Sequence, residues 1–235
     1  MEFLIIEEPE SSLPDLKTNF DQCVKGYHLI NRSSINETVW EEINALLLTC
    51  SGYEVYTKSD GSHISGMDID SSFGRISNKS AKYATTKKGI SFDISSYRLT
   101  TVCSDKHCGD PSLFIEEIKK RKNFDYYSIL VREEVKDTIR YDWIYIPSDY
   151  SVLDPSIYTW EPTIGKHGKN KDNQVGWHTN EIRGCGMSIR FSMSSQLWIH
   201  VELGEDIMKF IIASSTVNRE PKCNYIDFYK TYQII

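Results

Sequence analysis

Residues 61–82 have the sequence GSHISGMDIDSSFGRISNKSAK, and the interpretation of the whole chain depends on them. The pattern predicts a turn, a short strand, a break and a second strand. Alternate residues of a strand share a face, so we expect Asp68 beside Asp70, and Ser77 beside Lys79. A carboxylate and a lysine on adjoining strands are suited to hold a divalent cation next to a phosphate. The simpler alternative is a solvated hairpin with ordinary surface charges.

The composition is typical of a folded protein. The chain has 235 residues, of which 40% are hydrophobic and 12% aromatic, and this length fits one large domain, residues 1–235. No apolar run is long enough to span a bilayer, and the first residues, MEFLIIEEPE, are acidic where a secretory signal is basic. We therefore expect a cytoplasmic protein without a membrane partner.

The cysteines are scattered along the chain and lack the density of a disulfide scaffold, so reduced thiols are expected. Cys103, His107 and Cys108 are close in sequence. Without a second pair of ligands, however, they are poor candidates for a zinc site, and the sequence leaves zinc binding open.

The charge is unevenly distributed. A net charge of −6 argues against a nucleic-acid partner, but a local basic surface is what decides phosphate binding. Between Phe73 and Arg98 the only acid is Asp93, whereas the basic residues are Arg75, Lys79, Lys82, Lys87, Lys88 and Arg98. The segment that carries the candidate site is therefore itself basic.

The order of predicted elements from residue 34 to residue 132 is helix, three strands, helix, strand. The first helix is expected to begin with a capping box from Ser34 to Glu37 and to end near Gly52. The strands are expected at 53–58, at 66–79 with its break, and at 90–99, and Asp110-Pro111 is a typical helix start. This order predicts an α/β protein of the α+β kind, with a mixed central sheet, flanking helices and a β-rich part from 133 to 235.

Helix, three strands, helix, strand (αβββαβ) is also the order of the common core of the PD-(D/E)XK nucleases, which residues 34–132 resemble. Asp68 matches the aspartate of that family's motif and Lys79 its lysine. The chain departs from the motif at two points. No proline precedes the aspartate in the tetrad Gly66-Met67-Asp68-Ile69, and Ser77 replaces the usual acid. The resulting Ser77-Asn78-Lys79 is similar to the S-x-K variants of some type II restriction endonucleases.

The resemblance implies Mg²⁺-dependent attack of water on a DNA phosphodiester, with Asp68, Ser77 and Lys79 at the catalytic centre. One carboxylate alone holds Mg²⁺ weakly, so a second ligand is needed beside Asp68. The preferred candidates are Asp70 on the same face and Glu41 or Glu42 of the first core helix, and the sequence does not choose among them. Asp93 on the following strand is another candidate.

The same resemblance implies a restriction-type endonuclease that works as a homodimer on double-stranded DNA and has a cognate DNA methyltransferase. Residues 133–235 would then serve DNA recognition and dimerisation. The basic and polar residues expected to contact DNA are Lys82, Lys87, Lys88, Arg98, Lys166, Lys169, Lys171, Asn173, His178, Asn180 and Arg183. Two alternatives stay open, namely a non-catalytic interaction or anti-defence protein, and a nuclease of the same superfamily that acts in repair or on mobile elements.

Overall fold

Two six-stranded β-sheets and the helices around them form the structure, a computed structural model that describes residues 13–58, 66–87, 89–192 and 195–231. The expected α+β class with a mixed central sheet is confirmed. The α-helices are α1 Leu13–His28, α2 Glu37–Cys50, α3 Pro111–Arg121, α4 Glu205–Met208 and α5 Tyr225–Thr231. The strands are β1 Val55–Lys58, β2 Ile69–Ser71, β3 Gly74–Lys82, β4 Ala84–Thr85, β5 Ile90–Arg98, β6 Tyr126–Val135, β7 Thr138–Pro147, β8 Trp160–Ile164, β9 Gln174–Thr179, β10 Cys185–Arg190, β11 Gln196–Glu202 and β12 Ile211–Asn218.

The first sheet, which we call sheet A, has the strand order β1-β2-β3-β6-β7-β12. Strands β3 and β6 are parallel, and the other neighbours in sheet A are antiparallel. Along the chain, α2, β1, the broken strand β2–β3, β5, α3 and β6 follow the predicted order of helix, three strands, helix, strand, and the short β4 is added between β3 and β5.

The prediction for residues 90–99 was correct as a strand, but this strand belongs to the second sheet. Sheet B has the order β4-β5-β11-β10-β9-β8 and is antiparallel throughout. The physical reason is burial: Phe92 and Ile94 of β5 point into the core that lies between the two sheets. A strand that packs these side chains against the face of sheet A cannot also pair with the edge of sheet A.

Both halves of the chain contribute to both sheets. From residues 133–235, β7 and β12 complete sheet A, whereas β8 to β11 pair with the β4–β5 unit in sheet B. Sheet A continues across residue 132 without interruption, because β6 pairs with β7 along ten residue pairs. The functional division into a core and an extension stays a prediction.

Two hydrophobic cores hold these layers together. One lies between α1, α2 and sheet A and includes Phe20, Trp40 and Trp143, all of which are fully buried. The other lies between sheets A and B, where Phe114 of α3 packs against Trp160 and Trp177. Sheet A is therefore covered on both faces, which fixes the position of α2 against it.

Of the two predicted helix starts, that of α2 differs in detail and that of α3 is as expected. The N-cap of α2 is Asn36, whose side chain accepts from the Val39 amide, while the Ser34 hydroxyl donates to Glu134. The cap of α3 is Asp110, followed by proline, as predicted. Strands β8 and β9 were not predicted. The sequence pattern also predicts a strand at 208–213, and in the structure this strand, β12, begins at Ile211 because α4 occupies residue 208.

Residues 1–12, for which the sequence pattern predicts a strand or an ordered arm, lie outside the described residues. Among the described helices, none combines the length and the apolar character that a bilayer crossing requires.

Candidate active site

The site forms where β2 begins beside β3. Ile69 lies opposite Ile76, and the Asp68 amide donates to the Ile76 carbonyl at 2.8 Å, so Asp68 stands across from Ser77. Ile76 is buried in the core under α1 and α2, so the alternation turns Ser77 and Lys79 to the opposite face, toward sheet B. Ser77 and Lys79 therefore start from one face of sheet A, as strand alternation predicts, and the Lys79 ammonium meets Asp68 and Glu37 at the edge of β3 that β2 leaves uncovered.

Hydrogen bonds to β3 hold the Asp68 carboxylate in place. Its Oδ2 accepts from the Asn78 amide at 2.6 Å and from the Ser77 hydroxyl at 3.4 Å. Because the β2 ladder ends at Ile69, the Asn78 amide has no strand partner on this side, and the carboxylate takes that place. The carboxylate is thereby fixed 3.8 Å from the Lys79 ammonium.

Lys79 is mostly buried, with 11% of its side chain exposed. Its Nζ lies 3.1 Å from Glu37 Oε1 and also donates to the Asn78 carbonyl. Burial alone lowers the pKa of Lys79, but the attraction of Asp68 and Glu37 is stronger and raises it above the ordinary value. Lys79 is therefore a charged ammonium at neutral pH, a form that can donate hydrogen bonds but cannot accept a proton.

Glu41 faces the same site from α2, one turn after Glu37. Burial, followed by repulsion from Asp68 and Glu37, raises the pKa of Glu41 to about 7. Burial likewise raises the pKa of Asp68, although Lys79 and the Asn78 amide oppose this shift. Three carboxylates surround one ammonium, so the site carries an excess of negative charge when its groups are ionised.

The candidates for the second metal ligand differ in their surroundings. Glu41 is coupled to Asp68 by repulsion, whereas Glu42 is exposed to solvent. Asp70 lies opposite Arg75, and Asp93 is in sheet B, where it contacts His200 at 2.8 Å. The structure thus brings Glu41 to Asp68, whereas Asp93 contacts His200 and Asp70 lies opposite Arg75, whose ion pair is with Asp125.

The donor set fits Mg²⁺ in the form that this ion takes in phosphate-processing sites, with one or two carboxylates, several waters and substrate oxygens. Asp68 and Glu41 would supply the two carboxylates, and burial is the main cause that raises the pKa of each. A closed cage of protein ligands is not formed: no group of three or more histidine, cysteine or acidic side chains with metal-binding geometry occurs in the described ranges.

The sequence reasoning did not identify Glu37 as part of the site. It considered Glu37 only as the last residue of a capping box, whereas the structure makes it the nearest acid to Lys79. The available signal was the spacing: residues four apart on a helix share a face, so Glu37 and Glu41 had to point the same way.

The eleven DNA-binding candidates do not form one surface. One end of sheet B carries Arg98 and the loop that contains Lys166, Lys169, Lys171 and Asn173. Lys87, Asn180 and Arg183 lie in turns at the other end, and His178 is the second-last residue of β9, where it contacts Thr163. Lys88 lies outside the described residues.

The basic strip from Arg75 to Arg98 is partly neutralised. Arg75 pairs with Asp125 at 2.9 Å, and Lys82 lies 3.4 Å from Glu134. Together with Lys79, these residues use their charge within the fold, so the strip is a weaker phosphate-binding surface than the sequence indicated.

The cysteines at the possible zinc site do not converge with His107. Cys103 is fully buried, its thiol faces the Leu99 carbonyl at 3.5 Å, and burial raises its pKa to about 11. His107 contacts the Ser104 hydroxyl at 2.8 Å through Nδ1. A thiol in this environment resists the deprotonation that zinc binding requires.

No protein-family model, curated protein or solved structure matches this chain. Any functional conclusion therefore has to come from the arrangement of Asp68, Lys79, Glu37 and Glu41.

Proposed function

We propose that this protein is a Mg²⁺-dependent, site-specific DNA endonuclease of the PD-(D/E)XK type that belongs to a restriction–modification system. The observation that carries the proposal is the pair of Asp68 and Lys79, 3.8 Å apart on neighbouring strands, with Glu41 facing it from α2. The simpler alternative, a solvated surface hairpin, would leave its lysine exposed. Only 11% of the Lys79 side chain is exposed, which argues against that alternative.

Each residue has a distinct role in phosphodiester hydrolysis. Asp68 and Glu41 are the carboxylates that hold Mg²⁺, which when bound supplies charge stabilisation for the scissile phosphate and a lowered pKa for its water. Lys79, as an ammonium, donates to a phosphoryl oxygen, where negative charge grows in the transition state. Ser77, in the position of the family's usual acid, donates to Asp68 and orients that carboxylate.

Glu37 holds the ammonium in place. Its carboxylate is 38% exposed and bonds to Lys79 Nζ, so it limits the positions that a flexible lysine side chain samples. This restriction maintains the lysine close to Asp68 before DNA arrives.

Cleavage of plasmid DNA tests the proposal. With Mg²⁺ we expect a fixed set of double-strand fragments that disappears when EDTA is added, and methylation by a cognate DNA methyltransferase protects the cut sites. Intact plasmid across a range of salt concentrations, with both Mg²⁺ and Mn²⁺, contradicts the proposal. Cleavage without discrete fragments instead indicates a repair or mobile-element nuclease with the same centre.

A further inference from the structure

The strand registers of sheet B align a row of residues across five strands. Arg98 of β5 lies opposite Gln196 of β11, which lies opposite Arg190 of β10, and the row continues through Gly176 to Thr163. Directly opposite residues share a face, and the neighbours Leu197 and Ile189 point into the core between the sheets. The row therefore lies on the outer face of sheet B.

The two arginines of this row are exposed and lie two strands apart, which is about 10 Å at the usual strand spacing. Within the described ranges neither forms an ion pair, in contrast to Arg75, Arg132, Arg140 and Arg219. Two unneutralised guanidinium groups on one exposed face are suited to bind phosphate oxygens.

The loop from β8 to β9 extends the same basic end. It leads into Gln174 at the start of β9, next to Gly176 of the row, and the exposed lysines in it are Lys166, Lys169 and Lys171. Asp172 is the one acid in this loop. The other acids on the outer face stand further along the strands, such as Asp93 opposite His200. The charge of the face is therefore positive at the end that carries Arg98 and Arg190.

This basic end adjoins the candidate active site. Ser96 and Tyr97, which precede Arg98, contact the Tyr127 hydroxyl at 3.2 and 3.4 Å, and Tyr127 lies opposite Ser77 in the parallel pairing of β3 with β6. Strand β4 pairs with β5 only at Ser91 and Ile90. At Arg98, β5 is thus the edge strand of sheet B, at the level of Ser77.

We propose that the end of sheet B formed by Arg98, Gln196 and Arg190, together with the lysines of the β8–β9 loop, binds the phosphate backbone of duplex DNA and holds it against the Asp68–Lys79 site. The inference rests on the proposed function and assigns Arg190, which sequence reasoning did not select, to DNA binding. It also excludes the opposite end of sheet B from this contact. Strand β5 has 9 residues, so its ends are about 26 Å apart at ~3.3 Å per residue.

Binding of a labelled duplex with the target site, measured by fluorescence anisotropy in Ca²⁺ over a range of salt concentrations, tests the inference. The double variant Arg98→Ala/Arg190→Ala should bind at least tenfold more weakly than the wild type. Its slope of log K against log salt should be smaller by about 2, since each phosphate contact contributes ~0.9. Arg98→Lys/Arg190→Lys keeps both charges and should retain most of this slope.

The matched control is Lys17→Ala/Lys25→Ala, which removes two exposed charges from α1, behind sheet A. It should change affinity by less than threefold. All variants should unfold at the wild-type temperature, because the substituted side chains are exposed. The inference fails if the arginine variant binds with the wild-type affinity and salt slope, or if the α1 control loses as much. A wild-type protein that binds no DNA overturns the proposed function itself.

Discussion

Lys79 brings a positive charge into a site that is otherwise acidic, and its environment keeps that charge in place. The ammonium is 3.1 Å from Glu37 and 3.8 Å from Asp68, and both acids raise its pKa. A lysine that stays protonated contributes to a reaction through the charge that it donates, so its removal affects the transition state more than the binding of the substrate.

Lys79→Ala is therefore expected to lower the cleavage rate at least ~100-fold, the order seen when a single transition-state donor is removed. Binding of the target duplex in Ca²⁺ should change little. Single-turnover cleavage and anisotropy measure the two quantities separately, and Lys25→Ala, on exposed α1, provides the control. A Lys79→Ala enzyme that cuts at the normal rate shows that the active site has been placed wrongly.

Glu41 gives the site a pH dependence that is measurable without DNA. Its pKa in the fold is about 7, against an ordinary value of 4.5. Between these two values the folded state binds more protons than the unfolded state, so this group makes the free energy of unfolding decrease as pH rises. Well above pH 7 the full penalty of a half-buried, repelled carboxylate is present.

Glu41→Gln should consequently be more stable than the wild type at pH 8, with a difference that shrinks toward pH 5. Urea unfolding at pH 5, 6, 7 and 8 without metal measures this difference. Mg²⁺ should stabilise the wild type at pH 8 more than the variant, because it binds the ionised carboxylate. A difference that is constant across this pH range contradicts the assigned environment of Glu41.

At the scale of elements, the position of α2 against β3 decides whether Glu37 and Glu41 reach Lys79. A buried polar contact sets this position: the Asn44 amide donates to Asn78 Oδ1 and to the Ser128 hydroxyl, and Trp143 Nε1 donates to the same hydroxyl at 2.8 Å. Polar groups that are fully buried fix one register more strictly than apolar packing, because a shift leaves them unpaired.

We expect Asn44→Ala to lower the free energy of unfolding by about 1–2 kcal/mol, the usual effect of losing a buried hydrogen-bonding group. The effect is not larger because Asn44 Oδ1 and Asn78 Nδ2 have no partner among the described residues. Urea unfolding measures it, with exposed Glu42→Ala on the same helix as the control. If the double variant Asn44→Ala/Asn78→Ala loses the full sum of the single effects, the two amides are not coupled.

At the scale of the whole molecule, the proposed reaction constrains the assembly. One site, as found in one chain, cuts one strand, and the simplest way to cut both strands of a palindrome is a two-fold symmetric dimer. Light scattering at micromolar concentration, with and without the target duplex, should give the mass of a homodimer. A strict monomer in both conditions favours a nuclease of the repair or mobile-element class.

The features that the sequence by itself determined depend on interactions between residues close together in the chain. The alternation that places Ser77 and Lys79 on one face of β3 depends only on strand geometry. The helix start at Asp110 depends on a cap within two residues, since the side chain accepts from the Ser112 amide. Composition and element order were sufficient to predict an α+β protein with a mixed sheet. These features require no knowledge of which distant segments meet.

Long-range packing decided the rest. Residues 90–98 were recognised as a strand, but their place in sheet B depended on burying Phe92 and Ile94 against sheet A. Glu37 joined the site because apolar packing sets the rotation of α2, with Trp40 and Leu47 buried beneath it. Arg98 and Arg190 came into one row because β11 pairs with both β5 and β10, although β11 and β5 are distant in sequence. A local pattern specifies which face a side chain occupies, whereas only the buried contacts between distant segments specify what that face meets.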